Sequence, residues 1–155
     1  MIELVQHPEL YVGIYRGANR VERAVLRVSW EGHGCGEEHY MCSPADLFVI
    51  ATVFGCGIIL LHPVLAACVV VLPLRRLGAA DRPAREIFIC HLNRYKHYIR
   101  VDCVTDCPIP PVHTDWHDCH DETVAGWDRY YESKIRLWNS LRPPPTLEVC
   151  NDLDP

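Results

Sequence analysis

From Leu47 to Leu74 the chain carries no formal charge unless His62 is protonated, and Asp46 and Arg75 close the run at either end. A stretch of that length leaves few ways to fold. About 20 apolar residues cross the ~30 Å hydrocarbon core of a bilayer, and as one helix this run is about 42 Å long at 1.5 Å per residue. Tilt, or a kink at Pro63, absorbs the excess. The start carries helix signals: Ser43 as capping hydroxyl, Pro44 at the first helical position and Asp46 at the third. The expectation is one membrane-spanning helix over 47–74. The competing reading is a buried helix followed by a core strand, broken at His62-Pro63, which the β-branched run Val69-Val70-Val71 favours. A small protein has little chain with which to wrap a helix that is apolar all round, and that argues for lipid. A helical hairpin turning at His62-Pro63 has arms too short to cross twice.

This division leaves four parts in a chain of 155 residues. They are a head (1–46), the span (47–74), a second unit (75–142) and an acidic end (143–155) expected to be disordered. Head and tail are each short enough that an apolar core alone is marginal. Mean hydropathy is near zero because the apolar middle is averaged with charged ends. A net charge of −5 and the absence of a dense basic cluster exclude nucleic acid as the expected partner.

Orientation follows from the positive-inside rule. Residues 27–46 hold one basic side chain, Arg27, whereas 75–94 hold Arg75, Arg76, Arg82, Arg85 and Arg94. That bias places the tail in the cytosol and the head outside or in the lumen. Met1 to Glu22 lacks the apolar core of a cleavable signal peptide, so the span acts as its own signal. Arg16, Arg20, Arg23 and Arg27 oppose translocation of the head. His62 lies near the middle of the run, where an ionisable group is a polar functional site by default. Its bland alternative is a neutral imidazole bonding backbone freed by Pro63.

In the head, residues 10–15 and 21–30 are rich in β-branched and aromatic side chains and flank a turn at Gly17-Ala18-Asn19. Ala24, Leu26, Val28 and Trp30 alternate with Arg23, Val25, Arg27 and Ser29, so a β-hairpin is expected. The next loop carries His33, Cys35, His39 and Cys42. Those four side chains suit a second tetrahedral metal site, or the two cysteines a disulfide in an oxidising compartment.

The tail holds more chemistry. Residues 86–92 and 97–104 read as two strands joined by Asn93 to Lys96. Tyr98-Ile99-Arg100-Val101 has the form of a sorting or phosphotyrosine motif but falls within the second strand, which makes it structural. Beyond them stand Cys103, Cys107, His113, His117, Cys119 and His120. In a reducing cytosol such a set favours metal over disulfides. Zinc takes four nitrogen or sulfur ligands at tetrahedral corners. Cys103, Cys107, His113 and His117 are the expected ligands, with Cys119 or His120 as alternates. The spacing departs from the two-cysteine, two-histidine finger, and incidental Cys and His in a polar loop is the bland alternative. Val124, Trp127, Tyr131, Ile135, Trp138 and Leu141 then recur at spacings of three and four, one apolar face of a helix capped by Asp121 and stopped at Pro143.

The fold class expected is therefore a single-pass α-helical membrane protein with small α+β flanking domains, an N-terminal β-hairpin and a zinc-stabilised ββα-like tail. The function expected is a membrane-anchored adaptor, not an enzyme, presenting its zinc-bearing tail to a cytosolic protein, in the manner of viral accessory proteins and small membrane regulators. Two other classes compete. One is an oligomeric, proton-conducting channel built on His62, in which further copies of the chain are the partners. The other is a zinc-binding protein or hydrolase, free of the membrane, with 47–74 buried.

Overall fold

The computed structural model describes residues 1–32, 41, 44–92 and 97–141. Its elements in order are α1 (Ile2–Gln6), α2 (Pro8–Tyr15), α3 (Ala18–Val28), α4 (Ala45–Phe54), β1 (Gly57–Leu61), β2 (Val69–Val71), β3 (Glu86–Leu92), β4 (His97–Val101), α5 (Thr114–Cys119) and α6 (Glu132–Leu141). The sheet order is β2-β1-β3-β4, with β1 and β3 parallel and both outer pairs antiparallel.

The uncharged run is not a span. Among the described residues no helix is long and apolar enough to cross a membrane. This overturns the single-pass fold class, the membrane localisation and the orientation built on it. Helix α4 ends at Gly55, which takes the left-handed conformation (φ 58°) that glycine adopts without strain and from which the chain turns into β1. His62 and Pro63 then open the connection to β2. The run is apolar all round because protein surrounds it. Phe48, Ala51, Cys56, Ile59, Val70, Val71, Leu72 and Leu74 are fully buried.

The covering comes from both ends of the chain. Helix α4 packs on β1 and β2, and α2 packs on α3 and α5. On the other face, Tyr131 lies over Gly57 so closely that a Cβ there would stand 2.5 Å from its hydroxyl. Lys134 bonds Glu86, the cross-strand partner of Gly57. The chain from Ile109 to Thr123 zips along β2 and its continuation. Val70 N–H donates to the Pro111 carbonyl and the Val70 carbonyl accepts from His113 N–H, both at 2.8 Å. Trp116 Nε1 donates to the Pro73 carbonyl, and Asp121 N–H donates to that of Leu74.

Two further expectations fail for definable reasons. The head hairpin is replaced by α2 and α3. Val21 and Ala24 are buried three apart, while Leu26, Val28 and Trp30 face solvent. The apolar alternation there coincided with a helical period of three and four that the fold uses instead. The continuous helix expected after Asp121 is divided into short 3-10 turns at Glu122–Val124 and Trp127–Tyr131, followed by α6. Gly126 in the left-handed region (φ 82°) separates the turns. Asp121 does cap the first of them, accepting from Thr123 N–H. Strands β3 and β4 form the antiparallel pair read for 86–104, with β4 ending at Val101.

One polar side chain in the core joins α4 to the strand edge. Thr52 Oγ1 donates to the Phe48 carbonyl and accepts from Leu74 N–H at 2.9 Å, and both Thr52 and Leu74 are inaccessible. Thr52→Val keeps the shape and orphans that N–H. A loss of about 1–3 kcal/mol is expected, read from urea unfolding midpoints; an unchanged midpoint would contradict the bridging role.

Candidate anion-binding site

The turn between α2 and α3 builds an arginine-rich concavity. Arg16 closes α2 in the left-handed region (φ 61°), its N–H bonding back to Gly13 and Val12 carbonyls. The tight reversal that follows brings α3 alongside α2, and Arg20, Arg23 and Arg27 follow at steps of three and four along one side of α3, next to Arg16. From the opposite end of the sequence, His113 and Asp115 at the start of α5 complete the wall. The resulting cleft, about 580 Å³ in volume, is lined by all four arginines with Tyr15, His113 and Asp115.

Two of the four guanidiniums have acidic partners. Arg16 bonds Asp115 at 2.7 Å, and Arg27 bonds the buried Asp46, which also accepts from the Tyr15 hydroxyl. Arg20 and Arg23 have none among the described residues, and both are exposed. His113 is held in place on three sides. Its ring meets Phe48 edge-on at 5.5 Å, its backbone N–H donates to Val70, and its Nδ1 accepts from Asp115 N–H as the cap of α5. Burial depresses its basicity; Asp115 works against that shift and Arg16 with it, leaving the imidazole neutral at pH 7.

A second cavity of about 340 Å³ adjoins the cleft and shares Pro44 and His113 with it. Leu60, Val69, His91 and Tyr98, which share one face of the sheet, line it together with His62. The His62 and His91 rings stack at 5.2 Å, and His91 lies 4.8 Å from Tyr98.

His62, the expected intramembrane polar site, directly follows β1. Its Nδ1 accepts from Val64 N–H, and Cys68 Sγ bonds its backbone. It thus serves the turn that leads from β1 towards β2.

The four expected zinc ligands are not brought together as one group. Among the described residues no group of three or more His, Cys, Asp or Glu side chains is placed to hold a metal ion. Cys103 and Cys107 line a cavity on the Glu86 and Lys134 side of the sheet. The chain then runs along the β2 edge and delivers His113 to the other side, into the arginine cleft. His117 is exposed, edge-on to Trp116, while His120 stacks on Trp116 at 4.1 Å and bonds its carbonyl. Cys119 packs against Gly13, where a Cβ would stand 2.7 Å from its sulfur. His33, Cys35, His39 and Cys42 lie outside the described residues. The cleft itself had a signal in the sequence, the three-and-four spacing of Arg20, Arg23 and Arg27. It was legible only once that segment is helical. No family model, curated protein or solved structure matches this chain.

Proposed function

We propose that this protein is a recognition module that binds a compact anionic group of a protein partner, a phosphorylated side chain above all, in the arginine cleft of α2 and α3. The observation that carries the proposal is the pair of guanidiniums, Arg20 and Arg23, without acidic partners among the described residues, beside two that are held by carboxylates, in a chain whose net charge is −5. Planar guanidinium forks match phosphate oxygens two at a time. An acidic remainder of the surface repels extended polyanions, which favours a small anion on a protein segment over nucleic acid. Arg16 and Arg27, fixed by their carboxylates, shape the wall. Arg20 and Arg23 supply the free donors.

The test is titration of the whole chain with phosphoserine, phosphothreonine and phosphotyrosine peptide libraries, each beside its unphosphorylated twin, an oligoglutamate peptide and single-stranded DNA. A phosphopeptide is expected to bind, and Arg20→Ala plus Arg23→Ala to weaken it by about tenfold or more, the low end for two charge-assisted bonds because both groups are exposed. Affinity falls as salt rises. Equal binding by the double variant, or preference for DNA, would overturn the reading.

A further inference from the structure

On the face of the sheet away from the arginine cleft, Cys103 and Cys107 line one cavity of about 620 Å³ together with Phe88, Val101 and Lys134. A turn closed by the bond from Cys107 N–H to the Val104 carbonyl joins them, with Asp106 in the left-handed region (φ 61°) at its corner. This turn folds the chain back at the end of β4 and sets both thiols against the one cavity. Burial raises the basicity of Cys107, and the nearby Cys103 adds to the rise. The two differ in access. Cys103 is exposed and Cys107 half-buried, whereas Cys56 and Cys68 are buried elsewhere in the fold.

We infer that Cys103 and Cys107 form a redox-active dithiol that closes to an intramolecular disulfide by exchange with a low-molecular-weight disulfide such as oxidised glutathione. Cys103, the accessible thiol, loses its proton and attacks one sulfur of the small disulfide. An S–S bond forms to Cys103 as the first small thiolate leaves and takes up that proton. Cys107, deprotonated in turn, attacks Cys103 Sγ and expels the second small thiolate, which is likewise protonated. Two protein thiols are oxidised and one small disulfide is reduced to two thiols. Lys134, which lines the cavity and opposes the rise at Cys107, favours the thiolate that the second step needs. Closure ties the end of β4 to the start of the segment that runs along β2. There, Ile109 N–H bonds the Lys134 carbonyl.

The experiment incubates the native full-length chain in glutathione buffers of graded redox ratio. Free thiols are then trapped by alkylation and located by peptide mass spectrometry. The expected result is a cross-linked Cys103–Cys107 peptide whose fraction follows the redox ratio and returns to the dithiol on reduction. Cys107→Ser is expected to stop at a glutathione adduct on Cys103, and Cys103→Ser to leave Cys107 largely unmodified. The inference is overturned if both cysteines alkylate fully at every ratio, if the wild-type chain halts at the mixed disulfide, or if Cys103 pairs with a different cysteine. Circular dichroism of both serine variants, expected to match the wild type, separates loss of exchange from loss of fold.

Discussion

Trp116→Ala is expected to lower folding stability by about 3–5 kcal/mol. The indole is 1% exposed, its Nε1 donates to the Pro73 carbonyl at 2.8 Å, and the His120 ring covers it at 4.1 Å with planes 9° apart. Truncation opens a cavity where the C-terminal segment meets the continuation of β2, and it leaves a buried carbonyl without its donor. With total stabilities of about 5–15 kcal/mol for domains of this kind, the variant stands close to unfolding. Trp116→Phe keeps most of the packing and loses the bond, for an expected cost of about 1–3 kcal/mol. Chemical denaturation of both variants checks the ordering. Equal, small losses would show that Trp116 does not pin α5. Because α5 presents His113 and Asp115 to the arginine cleft, Trp116→Ala is also expected to weaken anion binding without altering any cleft residue.

The second large effect lies at the chain's beginning. Arg75 grips Glu3 with two bonds, Nε to Oε1 at 2.8 Å and Nη2 to Oε2 at 2.7 Å, and the Tyr11 hydroxyl donates to Oε1 at 3.1 Å. Glu3 is buried. Glu3→Ala strands the Arg75 charge in a half-buried setting and is expected to cost about 3–5 kcal/mol. Replacing both residues by methionine is expected to restore most of the loss, since the pair's attraction largely offsets its own desolvation. If the double variant is as unstable as the single, the loss stems from packing and not from the orphaned charge.

The same site dictates a pH dependence. Burial pushes the Glu3 carboxyl up, but the bonds and charge of Arg75, with Tyr11, outweigh it and hold the group below its ordinary value of 4.5. A depressed carboxyl contributes stability that is present above pH 4.5 and lost as pH falls through the folded value. His113 is depressed as well, below 6.5, because it is buried neutral. Its contribution is full above 6.5 and declines first on acidification. Two acid-side losses are therefore expected, the His113 step absent in His113→Asn and the Glu3 step absent in the double methionine variant, both followed by thermal melts from pH 7.5 to 3.5.

What could be read from residues alone divides along a physical line. Transfer from water to an apolar medium is nearly blind to what that medium is. Leu47 to Leu74 therefore announced burial and could not announce whether lipid or protein would do the burying. Two glycines break the run: Gly55 ends the helix and Gly57 makes room for Tyr131. Local alternation sufficed for β3 and β4. In the head it did not, because Ala24, Leu26 and Val28 satisfy a strand pattern while Arg20, Arg23 and Arg27 satisfy a helical one.

Sequence by itself determined which segments must leave water, where the β3–β4 pair lies, and that Asp121 begins a turn of helix, since hydrophobicity, alternation and capping act within a few residues. Tertiary structure alone decided which thiols and imidazoles become neighbours. Ligands ten residues apart at Cys103 and His113 end on opposite sides of the sheet because the chain between them must follow the β2 edge to satisfy its backbone hydrogen bonds. By the same wrapping, Arg16 and Asp115, separated by most of the chain, share one cleft.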